Sequence, residues 1–258
     1  MILDDIAAYT KERVKALKDK KSLYAVRDEA EGRPQGKDFK AALAAEGLSV
    51  IAELKKASPS KGIISPDFEE IYLAKASAYE AGGAAAISCL TEPKFFLGSD
   101  EYLQNVRKAV ELPILRKDFT IDEYQIYEAK NLGADAVLLI CSLLSAAQLQ
   151  EYLQQAHELG LYALVEAHDG EEVQAALAAG AAIIGVNNRN LKDFSVNPLN
   201  SLRLREAIPP DKIFVAESGI QKASDTDGLK AAGVQAVLVG EALMRSADPA
   251  AFLRELRA

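Results

Sequence analysis

Short apolar runs recur along this chain, and most stop abruptly on a charged or polar side chain. Val50-Ile51-Ala52 runs into Glu53 and Lys55, Pro113-Ile114-Leu115 into Arg116, Lys117 and Asp118, and Ala163-Leu164-Val165 into Glu166. Ile183-Ile184-Gly185-Val186 leads to Asn187, Asn188 and Arg189, and Ile213-Phe214-Val215-Ala216 to Glu217, Ser218 and Gly219. Ala236-Val237-Leu238-Val239 ends on Gly240 and Glu241. Continuous runs of this length suit strands buried on both faces, as in a parallel sheet. Strands are expected to begin near Ser49, Ala84, Pro113, Ala134, Tyr162, Ala182, Lys212 and Gln235. Helical patterns fill the intervals over 67–81, 100–110, 122–132, 146–159, 170–179, 199–207, 223–232 and 249–256. Strict alternation of strand and helix means a parallel sheet. Eight such units in 258 residues favour closure into an α/β fold of the (β/α)8 TIM-barrel type over an open sheet.

Residues 1–47 break the alternation. Ile2, Ile6, Tyr9, Val14 and Leu17 fall on one helical face. A polar stretch with Gly32, Pro34 and Gly36 follows, then a short helix over 39–45. The segment is too small to bury a core alone. One domain over 1–258 is therefore expected, with 1–47 as a helical extension packed on a barrel of 48–258. Gly83, Gly133, Gly180 and Gly233 open similar small-residue runs at spacings of 50, 47 and 53 residues. Each interval fits two strand–helix units, so these glycines mark the helix ends before the even strands, where a left-handed cap is needed.

The net charge of −8 disfavours nucleic acid or an anionic membrane as the main partner, since both require a basic face. It leaves room for an anionic small molecule met by a local cluster of Lys and Arg. Cys89 and Cys141 sit inside apolar runs and read as buried free thiols of a reducing compartment. The N-terminus is too charged for a signal peptide, and no apolar run approaches the roughly 20 residues that span a bilayer. A cytoplasmic protein is expected. No Cys/His spacing resembles a metal site. Neither a dinucleotide-binding glycine motif after the first strand nor a Walker loop is present.

In a barrel, the polar strand ends converge at the C-terminal mouth. Glu53, Lys55, Lys117, Glu166, Asn187 and Arg189 are then expected in one pocket, although each alone suits a solvated surface position or a structural ion pair equally well. Lys117 and Glu166 form a candidate acid/base pair, and nearby Lys55 and Arg189 are expected to make Lys117 lose its proton more easily. Loops after the seventh and eighth strands of such barrels often hold phosphate on backbone N–H groups. Ser218-Gly219 and Gly240-Glu241 fit that use, or are two ordinary tight turns. The basic loop 55–62, with Pro59 and Gly62, is a candidate lid. Phe95 and Phe96, joined by Phe119, are expected either to wall a ring-binding pocket or to pack in the core. His168 is placed beside the site, His157 on the surface, and Asp118 as a brace for its own loop.

Taken together, these segments resemble the indole-3-glycerol phosphate synthase family. The resemblance rests on seven ordered motifs. They are Val50–Ser60, Leu90-Thr91-Glu92 with Phe95–Ser99, Leu115–Phe119, Leu164–His168, Gly185–Leu191, Ala216–Ile220 and Val239–Met244. It covers essentially the whole chain. It implies conversion of 1-(2-carboxyphenylamino)-1-deoxyribulose 5-phosphate to indole-3-glycerol phosphate with loss of carbon dioxide and water, a carboxy-lyase step of tryptophan biosynthesis. It implies Lys117 as general acid at the ribulose carbonyl, with Lys55 and Glu166 as the second acid and the base. Glu53 and Asn187 would orient Lys55 and the substrate. Arg189, Ser218, Gly219, Gly240 and Glu241 would surround the phosphate. Ser58, Pro59, Leu90, Phe96 and Phe119 would shape the ring pocket. No cofactor and no metal are implied, and the expected partner is a phosphorylated small molecule bound by a monomer. Leu54, Ala57 and Arg116 depart from the usual pattern without removing a proposed catalytic group. No fused isomerase domain is expected. Two rivals stay open: a phosphosugar aldolase using Lys117 as a Schiff-base nucleophile, and a non-catalytic barrel that binds a phosphorylated ligand.

Overall fold

The computed structural model describes residues 2–190 and 194–258. Eight parallel strands close on themselves: β1 (Ser49–Leu54), β2 (Ala86–Leu90), β3 (Ile114–Lys117), β4 (Ala136–Ile140), β5 (Tyr162–Ala167), β6 (Ile183–Asn187), β7 (Ile213–Glu217) and β8 (Ala236–Val239). Each pairs with the next, and β8 returns to β1 with Ser49 opposite Ala236. Helices α1 (Ile2–Lys20), α2 (Leu23–Glu31) and α3 (Phe39–Leu43) precede the barrel. The outer ring is α4 (Phe68–Ala81), α5 (Asp100–Ala109), α6 (Glu123–Leu132), α7 (Ala146–Glu158), α8 (Gly170–Ala178), α9 (Leu199–Leu204), α10 (Asp227–Ala231), α11 (Glu241–Arg245) and α12 (Pro249–Arg257).

Local sequence explains the outer ring. Ser99, Asp122, Ser145, Asp169 and Asp248 each accept a first-turn backbone N–H, fixing the starts of α5, α6, α7, α8 and α12. Such caps contribute about 1 kcal/mol each. The four repeated glycines all adopt positive φ, from 68° to 89°. Three elements differ from the expected pattern. α2 escaped notice because only Val26 and Ala30 of its nine residues are buried, too narrow a stripe to read. α11 is a five-residue helix directly after β8. The loop after β1 folds into a small antiparallel hairpin, Ala57–Ser58 against Gly62–Ile63.

Strand alternation divides the apolar residues into two layers. Ile51, Leu115, Leu164, Ile183, Val215 and Leu238 point into the barrel. Val50, Ala52, Leu139, Val165, Ile184, Phe214 and Val237 pack outward under the helices. The N-terminal helices reach both ends of the barrel. Phe39 and Leu43 of α3 join the interior cluster, and Ser49 at the start of β1 donates to Ala42 O, so α3 closes the bottom. α2 lies along α6, where Asn131 donates to Val26 O. α1 lies at the mouth: Tyr9 meets Phe95 edge-on at 6.1 Å and Arg13 Nη2 lies 2.7 Å from Asp118 Oδ1. Cys89 and Cys141 are buried free thiols. No helix among the described residues is long and apolar enough to cross a membrane.

Candidate active site

The same alternation selects which charges face inward. Two residues beyond Ile51, Leu115, Leu164 and Val215 stand Glu53, Lys117, Glu166 and Glu217, one layer above the apolar interior and at the floor of a cavity in the mouth. Arg116, of opposite parity, points outward and is held by Asp100 Oδ1 at 2.9 Å and Glu128 Oε2 at 2.7 Å. Asp118 shares that parity, although it still borders the cavity. Arg13, Thr91 and its neighbour's amide, Phe119 N–H, satisfy it, so it braces the loop after β3.

Lys117 Nζ sits 3.1 Å from Glu166 Oε2 and 3.4 Å from Glu217 Oε2. Burial disfavours the ammonium, but Glu166, Glu217 and Glu53 outweigh it and raise the Lys117 pKa. This corrects the expectation that neighbouring cations would ease its deprotonation. Lys55 is turned to Glu53 in an ion pair, and the Arg189 Nη1 group donates to Phe194 O. The three carboxylates differ. Glu166 is held below the usual carboxylate range: burial opposes this, and Lys117, His168 and Asn187 override it. Glu217 is pushed up to about 7, by burial and by the nearby Glu166 and Glu53 charges, against the pull of Lys117. Its Oε1 is buried without a hydrogen-bond partner. Ser88 donates to Glu53 Oε2 at 3.2 Å, and Asn187 Nδ2 to Glu166 Oε1 at 3.1 Å.

Glycine makes room for this charge cluster. A Cβ on Gly185 would lie 2.2 Å from Glu217 Oε1, and one on Gly240 would lie 2.5 Å from Glu53 Oε1 and 2.8 Å from Lys55 Nζ. Gly240 thus abuts the β1 ion pair as well as the turn after β8.

Every residue that the resemblance assigned to the site lines one cavity: Glu53, Lys55, Ser58, Pro59, Leu90, Phe96, Lys117, Phe119, Glu166, Asn187, Arg189, Ser218, Gly219, Gly240 and Glu241. Phe96 and Phe119 lie 5.8 Å apart as a tilted pair on its wall. The buried Glu92 carboxylate accepts the N–H groups of Lys94, Phe95 and Phe96 and so shapes the loop that presents Phe96. Phe95 does not share the wall; it turns to Tyr9, with Lys94 over both rings. Glu241 aims its carboxylate away from the turn, towards Arg245 at 3.1 Å and Lys61 at 3.9 Å. Ser218 and Gly219 both have positive φ, 66° and 94°, which curls the backbone after β7. Leu191, the last residue of the fifth motif, lies outside the described residues.

A family model for indole-3-glycerol phosphate synthase matches residues 3–256. The chain belongs to the indole-3-glycerol phosphate synthase family. The synthase of Ruminiclostridium cellulolyticum is 56% identical, over 100% of this chain and 99% of its own. That of Endomicrobium trichonymphae is 55% identical over 100% of both. Among solved structures, 3-hexulose-6-phosphate synthase from Salmonella typhimurium superposes with a TM-score of 0.65 at 17% identity, covering 81% of this chain and 97% of that one. That likeness concerns the barrel alone. Membership carries the family's activity: ring closure of the carboxyphenylamino-deoxyribulose phosphate with loss of carbon dioxide and water, a decarboxylating lyase step of tryptophan biosynthesis.

Within this cavity, sequence reasoning passed over several lining residues. Glu217 is the main one, although it stands two positions after inward Val215 and shares the parity of Glu53, Lys117 and Glu166. β4, which had no assigned part, supplies Leu138 and Ile140 to the cavity. Their inward parity was the available signal.

Proposed function

We propose that Lys117 is the general acid of the ring closure and Glu166 the base of the dehydration. The observation that carries this is the Lys117 ammonium held between Glu166 and Glu217, at 3.1 and 3.4 Å, at the base of a cavity walled by Phe96 and Phe119. The aromatic pair receives the anthranilate ring. Lys117 protonates the ribulose carbonyl as the ring carbon attacks, and carbon dioxide leaves with its bonding pair returned to the ring. Lys55, aimed by its ion pair with Glu53, protonates the departing hydroxyl. Glu166 takes the proton from the methylene carbon, and Asn187 holds it in line. Glu217, buried with one free oxygen, shares the Lys117 proton. The Ser218-Gly219 turn, the start of α11 at Glu241 and Arg189 receive the phosphate.

The same geometry disfavours a Schiff-base aldolase, whose lysine must be neutral to attack a carbonyl. Here three carboxylates hold Lys117 charged. Borohydride with substrate should trap no adduct on Lys117. K117A and E166Q should keep the fold by circular dichroism and lose most turnover, read by indole fluorescence. Near wild-type rates in both would sink these roles. The protein is further read as one domain and as a cytoplasmic monomer, in keeping with its buried free thiols. Light scattering that shows a dimer would overturn the monomer.

A further inference from the structure

Glu166 lines the mouth cavity and touches a residue of a second cleft. Its Oε2 meets Lys117 in the mouth, while its Oε1 lies 3.3 Å from His168 Nε2. His168 lines a second cleft, of about 600 Å³, together with Glu172, Asp169, Ser142 and Asn200. At about 30 Å³ per water, that is ample room for solvent. Asn187 and Arg189 line both cavities and form the partition. The imidazole is fixed in place: Nδ1 lies 3.0 Å from Glu172 Oε2, and the His168 backbone N–H donates to the same oxygen at 2.8 Å. Lys117, Glu166, His168 and Glu172 therefore stand in a row from the mouth to the second cleft, in which the Glu166–His168 link is an ion-pair contact with Nε2 not aligned for a hydrogen bond.

The reaction has a use for such a row. The carbonyl oxygen takes one proton on ring closure and a second as it leaves as water. Only one proton comes back, from the methylene carbon. The carboxylate departs as carbon dioxide, so each turnover draws one proton from solvent. Substrate in the mouth cuts Glu166 and Lys117, with side chains only 2% and 15% exposed, off from bulk water.

We propose that His168 delivers this proton from the second cleft, through Glu166, to Lys117. The proposal rests on the acid and base roles given above. After ring closure, while Glu166 is still a carboxylate, His168 Nε2–H passes to Glu166 Oε1, Glu166 passes a proton from Oε2 to the neutral Lys117 amine, and the imidazole takes a replacement from cleft water. The methylene proton that Glu166 takes in the dehydration leaves to water as product departs, and Lys55 takes one back from water, so the net uptake is the one proton. The charges around the ring are Glu166 from β5, Asp169 and Glu172 at the start of α8, Arg189 after β6, and Asp4 of α1 across the cleft. Burial opposes the imidazolium, but Glu166 and Glu172 raise its pKa to about 10, so the row is loaded at neutral pH.

Steady-state kinetics on His168→Ala and His168→Gln test this. Both should lose about tenfold or more in kcat, within the roughly 10²–10⁴ of a general acid–base group, with KM nearly unchanged. Added imidazole should restore kcat in H168A, whereas pyrazole, of the same shape but uncharged at that pH, should not. Wild-type kcat in H168Q, or equal rescue by pyrazole, overturns the relay. E166Q serves as the separating control: inert with or without imidazole, it leaves the acid and base roles standing whatever His168 does. Full turnover in E166Q would instead unseat those roles.

Discussion

Replacing Gly240 with alanine separates two uses of the turn after β8. The added Cβ comes 2.5 Å from Glu53 Oε1 and 2.8 Å from Lys55 Nζ, against about 3.5–4.0 Å for a comfortable contact. Both atoms are the far ends of flexible side chains, and φ at Gly240 is −116°, open to alanine. The fold can yield by moving those tips about 1 Å, so the melting temperature should shift by only a few degrees. The chemistry cannot yield in the same way. A misplacement of about 1 Å costs on the order of 100-fold in rate, or about 2.7 kcal/mol of barrier at 1.36 kcal/mol per tenfold. G240A should therefore fall about 100-fold in kcat, read by product fluorescence across a range of substrate concentrations. A glycine serving the phosphate alone would behave differently: KM would rise and kcat would stay. That second pattern, or wild-type values of both constants, refutes the reasoning.

Arg13→Met removes the partner 2.7 Å from the buried Asp118 carboxylate. Breaking one side of a buried pair costs about 3–5 kcal/mol, and Thr91 and Arg116 should keep the loss near the lower figure. Urea unfolding reads it, and a loss under about 1 kcal/mol contradicts it. Arg13 and Arg116 lower the Asp118 pKa against the effect of burial, so the stability they supply is present above the ordinary aspartate value of 3.8. The gap between wild type and R13M should close as pH falls below that value. Glu217 has the opposite sign. Its pKa is raised from 4.5 to about 7, so the folded state retains a proton that the unfolded chain releases, and stability is lost as pH rises through that window. E217Q should gain on wild type between pH 5 and pH 8 in the same unfolding assay; a constant difference would contradict the raised pKa.

How far the sequence could be read depended on which signal carried each feature. The barrel was legible because buried parallel strands leave continuous apolar runs and helix ends leave glycine at regular intervals. The charged layer was legible as strand ends, yet its contents required parity, which links Glu217 to Val215 and turns Arg116 outward. The electrostatics were not legible at all. Lys55 and Arg189 look like neighbours of Lys117 in sequence logic, but each is committed elsewhere, to Glu53 and to Phe194 O. Only packing decides that Lys117 faces three carboxylates. α2 was hidden for a related reason: it buries two residues against Tyr124 and Tyr127 of α6, contacts that exist only once the barrel has formed.

The helix that braces the mouth is synthesised well before the loop it braces. Arg13 waits for Asp118, 105 residues further on, and at about 5–20 residues per second this takes roughly 5–20 s. Through that interval Ile6 and Val14, both buried in the finished protein, lack the barrel residues that complete their clusters, such as Leu115 and Phe119 for Ile6 and Tyr124 and Tyr127 for Val14. A nascent chain of this enzyme therefore carries incompletely covered apolar surface, and slower translation lengthens the time in which it can aggregate.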